Sequence, residues 1–328
     1  MYPIIKFELS YRLRRPATYA YFFILFILCF FFACSDGVTI GGATGNVLKN
    51  APFPINQSVM IMTIFSTMII SAVMGVPVYR DFEFNFHEIM FTTPVKKINY
   101  LLGRFIGSYL VCVFILSGII WGLIIGAGVI EYMPWTNVVK KGPFMLMAYI
   151  NPFINFILPN AFFLGVLFFV SGSLFRSQLA IYVQGVIVFI LYLIMINMQK
   201  DVDNNELLAI FDPFGYAASS YQTRYWTTAE KNTLLITLTN LLLYNRLLWI
   251  GIALIVAVAA YPFFKFSKTG LFLGKKKKNV SEETATVQSV IIPQVTLQYD
   301  FNAQIKQWVY LVVFEFKSVI RSVPFIAI

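Results

Sequence analysis

The residues best able to bind a metal or to catalyse a reaction are few in this chain. His87 is the only histidine. The cysteines are Cys29, Cys34 and Cys112. A structural zinc site takes about four Cys or His ligands, and an H-E-x-x-H peptidase needs two histidines on one helix face. His87 and Glu88 begin that pattern, but Phe91 stands where its second histidine would be. The sequence therefore predicts no metal site, no bound cofactor and no catalytic residue.

Two glycine-rich segments resemble phosphate-binding loops only in part. Gly270 and Gly274 precede Lys275, but three residues separate these glycines, where a P-loop has about four. Lys276 also replaces the Ser or Thr that holds magnesium. The Gly-Gly-Ala-Thr-Gly run at 41–45 is typical of a flexible turn between apolar stretches. We therefore expect that the chain itself does not hydrolyse ATP.

The composition is typical of a membrane protein. Of the 328 residues, 59% are hydrophobic and 12% are charged, whereas a soluble domain has roughly 25% charged residues. A soluble core cannot hide so much apolar surface, so we expect an all-α, polytopic membrane protein. The net charge of +10 comes from Lys and Arg at the edges of the apolar runs. This placement favours membrane lipids over nucleic acid as partners.

Six apolar stretches are long enough to cross the hydrocarbon as helices, which takes about 20 residues. They are 17–33, 59–78, 105–130, 153–175, 179–198 and 247–264. A further apolar run, 234–244, ends before Arg246, and we interpret it as an interfacial or re-entrant helix. Residues 3–15 alternate basic and apolar side chains, which predicts an amphipathic helix at the membrane surface.

The positions of Lys and Arg predict the orientation of the spans. With a cytoplasmic N-terminus, the inner segments carry 18 basic residues and the outer segments seven, which accounts for all 25. We therefore expect a multi-pass protein with a cytoplasmic N-terminus. The alternative for the first 34 residues is a signal peptide cleaved at Cys34, as in a lipoprotein, and the five later spans oppose it.

The six predicted spans contain no charged residue. All 15 acidic and all 25 basic residues lie outside them. This disfavours an ion-coupled carrier, because charged groups inside a membrane often mark ion or proton pathways. Asn155, Asn160 and Gln184 lie inside spans. We interpret these amides as packing contacts between helices, with part of a substrate pathway as the alternative.

Glycine and proline mark close packing and kinks. Gly118, Gly122 and Gly126 recur every four residues in the third span, and such a face lets another helix of the bundle or of an oligomer approach closely. Pro77 and Pro159 lie at the end of one span and inside another. Each lacks the backbone N–H of a helical bond, so we expect kinks at these positions.

The loop between the second and third spans, residues 79–104, mixes charged and aromatic side chains. Its notable residues, in chain order, are Arg80-Asp81, Glu83, Glu88 and Thr92-Thr93-Pro94-Val95, followed by Leu101-Leu102-Gly103-Arg104. Thr93 precedes a proline, so we expect a helix in this loop to stop before it. The composition is typical of a short surface helix that faces a partner, or of ordinary basic anchoring beside the membrane.

This order resembles the same loop of ABC-2 type transporter permeases, and the six-span layout is similar over about residues 1–265. In that family an acidic helix, a Pro-Val pair and a Gly-Lys or Gly-Arg pair recur before the third span. The resemblance implies that residues 80–94 form a coupling helix that docks on a separate ABC-type ATPase subunit. The residues it implies for this contact are Arg80, Asp81, Glu83, Glu88, Thr93 and Pro94. Phe84 and Asn85 depart from the Gly-Thr pair that is usual there.

Two further segments are similar to bacterial permeases fused to a C-terminal zinc aminopeptidase. They are Asp212-Pro213-Phe214-Gly215 and Asn245-Arg246-Leu247-Leu248-Trp249. Such proteins have two six-helix halves before the peptidase, whose own H-E-x-x-H does not occur in this chain. The resemblance implies a bacterial inner-membrane location and a second permease half, or a homodimer, as partner.

A short internal repeat also favours a second half. Phe314-Glu315-Phe316 and Arg321 repeat Phe7-Glu8-Leu9 and Arg14 at a constant offset of 307 residues. We therefore predict a permease domain at 1–264, a basic and polar cytoplasmic linker at 265–300, and the start of a second repeat at 301–328. In that repeat an amphipathic helix leads into a seventh span, and the chain is part of a longer protein.

These observations give three hypotheses of function. The first is a permease subunit that moves a substrate with ATP hydrolysed by a separate ATPase. The second is a non-transporting membrane anchor or scaffold for a fused or associated peptidase. The third is an ion-coupled carrier, which the uncharged spans disfavour.

Overall fold

The computed structural model describes residues 1–35, 46–90, 92–132, 141–198, 205–238, 240–264 and 301–320. In these residues the protein is all-helical, with no strand. The chain divides into two units, Met1–Leu271 and Phe272–Ile328. The expected linker at 265–300 lies outside the described residues.

Fourteen α-helices are described in the first unit. They are α1 (Tyr2–Leu13), α2 (Pro16–Cys34), α3 (Pro52–Phe65), α4 (Thr67–Met74), α5 (Val76–Glu83), α6 (Phe86–Met90), α7 (Lys97–Val129), α8 (Leu146–Pro152), α9 (Leu158–Phe175), α10 (Gln178–Met198), α11 (Asn205–Phe211), α12 (Tyr216–Thr223), α13 (Thr228–Thr233) and α14 (Asn240–Ala260). A 3₁₀ turn, Ile130–Tyr132, extends α7, and a π turn, Phe153–Ile157, joins α8 to α9.

Five helical segments of the described chain are long and apolar enough to cross a membrane on their own. They are Pro16–Cys34, Lys97–Tyr132, Leu146–Phe175, Leu179–Ile196 and Asn240–Ala260. The pair α3 and α4 makes a sixth if it counts as one span, although the two helices are bent by 49°. A multi-pass helical protein is therefore confirmed, and the sixth span depends on this bend.

The expected span at 59–78 is interrupted twice. Near the bend, the hydroxyls of Thr63 and Ser66 donate to backbone carbonyls one turn earlier, at 2.7 and 2.6 Å, and such bonds bend helices. The second interruption falls at Gly75, and α5 then starts with Pro77 in its first turn. A proline is well tolerated there, because the first N–H groups of a helix have no partner within it. The irregularity lies where Pro77 predicted it.

The fourth span begins earlier than expected and changes its winding. Helix extends from α8 through the π turn into α9, with Pro152 at the end of α8 and Pro159 in the first turn of α9. Because both prolines lack an N–H, regular α-helical bonding cannot continue across this stretch, and a wider turn occupies it. The distortion predicted at Pro159 therefore lies just before that residue.

Two helices that can span a membrane begin earlier than expected and include buried arginines. α7 begins at Lys97 and not at residue 105, so it includes Arg104, which has no exposed surface. α14 begins at Asn240 and includes Arg246, which is 5% exposed. The expected separate helix at 234–244 does not form, since residues 234–238 are not helical. An arginine was taken as a span boundary, although its guanidinium can be bonded inside the protein.

The glycine face of the third span is covered by a helix of the same chain. A Cβ added at Gly118, Gly122 or Gly126 would lie 2.6, 2.4 and 2.6 Å from backbone carbonyl oxygens of α2. Helices this close can meet only where a side chain is missing. The face thus packs α7 on α2 within one chain, and an oligomer is not needed to explain it.

A second close contact joins two backbones at the break in the second span. A Cβ on Gly172 of α9 would lie 2.0 Å from the carbonyl oxygen of Gly75. Ser71 of α4 donates to the Ile181 carbonyl of α10 at 2.6 Å. The broken span is therefore held between α9 and α10.

The second unit is described only in α15 (Phe301–Ile320), a 20-residue helix. Phe314, Glu315 and Phe316 of the proposed repeat lie in this helix. Arg321 and the expected seventh span lie outside the described residues. The repeat therefore stays a prediction.

The contact between α2 and α7 gives a test of packing. Gly122→Val is expected to lower the free energy of unfolding by about 1–3 kcal/mol, because its side chain would meet the backbone of α2. Thermal unfolding of the protein in detergent measures the change. Gly128→Val is the control in the same helix, since nothing lies within 4 Å of a Cβ there. Equal unfolding temperatures for the two variants would contradict this account of the glycine face.

Candidate functional site at the charged end of the bundle

Five charged side chains from three helices meet inside the protein near the start of α7. They are Glu8, Arg12, Arg80, Asp81 and Arg104, here called the ionic cluster. Each of them is at most 8% exposed. Charges are taken out of water at high cost unless they are paired and hydrogen-bonded, so the partners of each must be accounted for.

Glu8 is the centre of the cluster. Its Oε1 accepts from Arg12 Nε at 2.5 Å, and its Oε2 accepts from Arg80 Nη2 at 2.9 Å and Arg104 Nη1 at 2.5 Å. One carboxylate thus joins α1, α5 and α7. Removing one partner of such a buried set costs about 3–5 kcal/mol, because the remaining charges lose their compensation.

Asp81 forms the second half of the cluster. Its carboxylate lies 2.7 Å from Arg104 Nη2 and accepts the Tyr100 hydroxyl at 2.7 Å. Arg104 therefore binds both carboxylates at once, which a planar guanidinium with several donors does well. The cluster carries three positive and two negative groups, and this arginine connects its two halves.

Spacing along α7 and α1 brings these groups together. Tyr100, Arg104 and Ser108 recur every four residues on α7 and so share one face. Gly107 lies on the neighbouring strip, where an added Cβ would come within 2.7 Å of Glu8 Cβ. The absence of a side chain at this glycine lets α1 press its acidic residue against the polar face of α7.

The arginines reverse the effect of burial on Glu8. Burial alone raises the pKa of Glu8, but Arg12, Arg80 and Arg104 outweigh it and lower this pKa from 4.5 to about 2. At Asp81 burial prevails and raises the pKa, although Arg104 and Tyr100 favour the charged form. Glu8 is therefore held as a carboxylate throughout the physiological range.

Next to the buried ionic cluster lies an exposed segment with large apolar side chains. From the last residue of α5 onward, most side chains of residues 83–90 and 92–94 are exposed, with Phe84 and Ile89 at 69% and 68%. Glu83 and Glu88 are exposed on the same segment. We call these residues the outer loop of the charged end, where the charged end is the end of the bundle that holds the ionic cluster. Exposed apolar side chains rimmed by polar ones are typical of a surface that binds another protein or a membrane.

Local contacts fix the shape of this loop. Asn85 takes a left-handed backbone conformation, φ 54°, which asparagine tolerates better than most residues, and it turns the chain from α5 into α6. The rings of Phe7 on α1 and Phe86 on α6 stack with centroids 6.4 Å apart. On the other flank the Arg176 guanidinium lies 3.7 Å from the Phe82 ring centroid. The loop is thus held by α1 and by the end of α9.

The helix α6 ends at Met90, before Thr93-Pro94, as the sequence predicts. The hydroxyls of Thr92 and Thr93 donate to the carbonyls of Ile89 and Met90 at 2.8 and 2.5 Å. Carbonyls at a helix end lack helical partners, and these hydroxyls supply them.

The structure divides the six residues implied for a partner contact into two groups. Glu83, Glu88, Thr93 and Pro94 are exposed on the outer loop. Arg80 and Asp81 instead point into the ionic cluster and are 8% and 3% exposed. Arg80 and Asp81 thus have ionic partners within the chain, and a partner contact through these six residues stays a prediction.

Sequence reasoning did not identify the ionic cluster. The sequence singles out Glu8 through the short repeat, Arg12 through the orientation of the spans, and Arg104 through the orientation and the Gly103-Arg104 pair of the resemblance. The signal was the four-residue polar spacing of Tyr100, Arg104 and Ser108 on an apolar helix. The pairing of that stripe with Glu8 depends on a contact between segments about 96 positions apart, which spacing alone does not give.

A second polar cluster lies at the start of α9, and we call it the clamp. Arg246 donates to Asn160 Oδ1 and to the Phe214 carbonyl, both at 2.6 Å. Asn245 donates to the carbonyls of Ala209, Ile210 and Asp212 at 2.9, 2.9 and 2.7 Å. The clamp thus joins the two segments that carried the subgroup resemblance.

Asp212 shapes the turn that the clamp holds. Its carboxylate accepts from the backbone N–H groups of Phe214 and Ala217 at 2.9 and 2.6 Å. Gly215 takes φ 76°, and the guanidinium of Arg246 fills the place where a Cβ would be. These bonds fasten α11 and α12 to α14, which is a structural role.

The amides predicted to pack helices each have partners in the described chain. Asn155 contacts Asn151 Oδ1 at 3.2 Å, and Gln184 of α10 donates to the Leu167 carbonyl of α9 at 3.4 Å. Asn160 belongs to the clamp and also donates to the Phe214 carbonyl at 3.1 Å. The bonds of Asn160 and Gln184 join separate segments of the chain, whereas the bond between Asn155 and Asn151 lies within one helical segment. The packing interpretation and the alternative of a substrate pathway both stay hypotheses.

Comparison with known proteins gives no family assignment: no protein-family model and no curated protein matches the chain.

The charge on Glu8 predicts a specific acid sensitivity. Glu8→Gln is expected to lower the free energy of unfolding by about 3 kcal/mol near neutral pH, which is the value of a pKa lowered from 4.5 to about 2. Because the folded-state pKa is depressed, this stabilisation is present above pH 4.5 and is lost as the pH falls toward 2. Unfolding in detergent across this window, followed by circular dichroism, measures the difference between the two proteins.

The exposed Glu83 supplies the matched control, since Glu83→Gln is expected to leave the profile unchanged. A difference between wild type and Glu8→Gln that stays constant from pH 7 to pH 2 would show that pairing of the carboxylate charge with the arginines is not its source.

The clamp predicts an effect of one methyl group. Gly215→Ala is expected to lower the free energy of unfolding by about 1–3 kcal/mol, because the φ is left-handed and the added Cβ would lie 1.5 Å from Arg246 Nη2. Gly251→Ala on α14 meets nothing within 4 Å and is expected to leave stability equal or higher. Thermal unfolding of both variants and of wild type measures these changes. Equal stability of Gly215→Ala and wild type would refute the clamp geometry.

Proposed function

We propose that this chain is the six-helix half of an ABC-2 type permease of the bacterial inner membrane, with a cytoplasmic N-terminus. In this proposal a separate ABC-type ATPase hydrolyses ATP, and a second permease half or a second copy of the chain completes the substrate pathway. The observation that carries it is the outer loop of the charged end, an exposed apolar and acidic segment fixed on a buried ionic cluster.

The proposed function requires that the outer loop be stiff. A loop that passes force from an ATPase to the spans must move with them and not bend on its own. Glu8 and Arg104 tie the base of the loop to α1 and to α7. α7 is 33 residues long, which is about 50 Å of helix at 1.5 Å per residue. A displacement at the loop therefore reaches the far end of a membrane span through one continuous helix.

The proposal gives α1 a definite place. Its buried face carries Glu8 and Arg12, whereas Tyr2 and Phe7 are 72% and 47% exposed. Exposed aromatic side chains on a helix beside the spans suit the region of the lipid headgroups. In this proposal α1 lies at the cytoplasmic membrane surface and packs on the face of α7 that carries Tyr100, Arg104 and Ser108.

The surface of the outer loop gives the test. Ile89→Asp is expected to lower the ATP hydrolysis that co-purifies with the full chain by about tenfold or more. In the proposed complex the ATPase buries the apolar side chain of Ile89, and the variant would place a charge in that contact. Glu88→Lys, which reverses an exposed charge beside it, is expected to act in the same direction. The measurement is ATPase activity per chain after affinity purification from native membranes.

Tyr225→Asp is the control, since Tyr225 is 86% exposed on another segment of the surface. Equal ATPase activity with Ile89→Asp and with wild type would remove the outer loop as the docking surface. If no ATPase co-purifies with the wild-type chain, the permease hypothesis fails, and an anchor for a peptidase becomes the leading hypothesis.

A further inference from the structure

A large apolar cavity opens between α7, α9 and α14, next to the ionic cluster. Its volume is about 590 Å³. Along α9 its lining extends from Phe162 to Ser173, which is about 16 Å of helix at 1.5 Å per residue. The Ser173 hydroxyl is already donated to the Val170 carbonyl at 2.8 Å. The walls therefore favour a long, flexible apolar group, because they offer little that would orient a polar one.

The cavity opens sideways from the bundle. Val166 and Phe169 form its inner wall and are 3% and 7% exposed. Leu102, Leu254 and Val258 stand at its mouth and are 41%, 52% and 73% exposed. On helices apolar enough to span a membrane, exposed side chains of this kind face hydrocarbon. A ligand would therefore enter from the lipid and not from water.

Two cations stand at the end of the cavity nearest the charged end of the bundle. Phe264 closes this end and is 3% exposed. Its ring centroid lies 5.6 Å from the Arg176 guanidinium and 5.8 Å from Lys97 Nζ. Lys97 also lies 4.3 Å over the ring of Tyr261. Two positive charges thus lie close to the aromatic side chain that closes the cavity, although neither of them lines it.

We propose that this cavity binds an acyl chain of an anionic phospholipid, with Lys97 and Arg176 attracting the lipid phosphate beside Phe264. The apolar walls match the chain, the sideways mouth gives access from the bilayer, and the cations match the headgroup. Basic pockets between membrane helices commonly bind anionic lipid headgroups in this way.

The lipid site borders the ionic cluster through one residue. Tyr100 stacks on Phe264 with ring centroids 6.1 Å apart, and its hydroxyl binds Asp81. A lipid in the cavity would therefore rest against the aromatic pair that supports Asp81.

The first experiment fills the cavity. The full chain is purified in detergent, mixed with phosphatidylglycerol and phosphatidylcholine, washed, and its retained lipid measured by mass spectrometry. Wild type is expected to retain phosphatidylglycerol in a fixed ratio to protein, and Ala257→Trp is expected to lose it, because residue 257 lines the cavity. Ala259→Trp is the control, since Ala259 is exposed two positions along α14 and outside the lining.

The second experiment removes the charges. Lys97→Gln with Arg176→Gln is expected to lower the preference for phosphatidylglycerol over phosphatidylcholine by about tenfold. Lys6→Gln with Arg14→Gln removes the same charge from exposed positions of the N-terminal segment and is expected to leave the preference unchanged. Equal loss in both double variants would show a general effect of net charge and overturn the site.

A photo-cross-linking residue at position 257 distinguishes the occupants in the folded protein. An adduct with the mass of a phospholipid supports the proposal. An adduct with a second copy of the chain shows that protein fills the cavity and overturns it. Retention of phosphatidylglycerol that Ala257→Trp does not change also overturns it, provided that Ala257→Trp unfolds at the same temperature as Ala259→Trp.

Discussion

The arrangement of the charged end depends on one buried carboxylate that needs partners. Glu8 sits where no exposed surface remains to it, and three arginines from three helices supply the bonds that water would otherwise provide. A buried ion cluster of this kind adds little net stability over an apolar core, but it permits few arrangements of the helices. The position of α1 against α7, and of the outer loop above them, follows from satisfying this group.

Irregular backbone in the bundle also has partners within the protein. Hydroxyls of Thr63 and Ser66 take up carbonyls where the second span bends, and a π turn lies between two prolines in the fourth. In a membrane every backbone group needs a partner within the protein, so irregular segments survive only where neighbouring groups replace the lost bonds. Regular helices make up the remainder of the described spans, and packing by glycine faces, as between α2 and α7, sets their separation.

The sequence predicted the elements far better than their contacts. Apolar length located every helix that can span a membrane, since that signal is local and strong. The starts of α7 and α14 were predicted too late, because Arg104 and Arg246 were taken to mark the membrane edge. An arginine can also lie inside a helical bundle when protein groups bind it, and here the partners are Glu8 and Asp81 in one case and Asn160 in the other.

The backbone contact between Gly75 and Gly172 has a mechanical meaning. Two surfaces that touch without side chains resist compression, yet have no rotamers to rearrange when one turns on the other. In the proposed function, α5 would turn about this contact when a partner pushes on the outer loop, and α1 and α7 would move with it because the ionic cluster joins them. Two backbones at van der Waals distance would then limit how far α5 can turn.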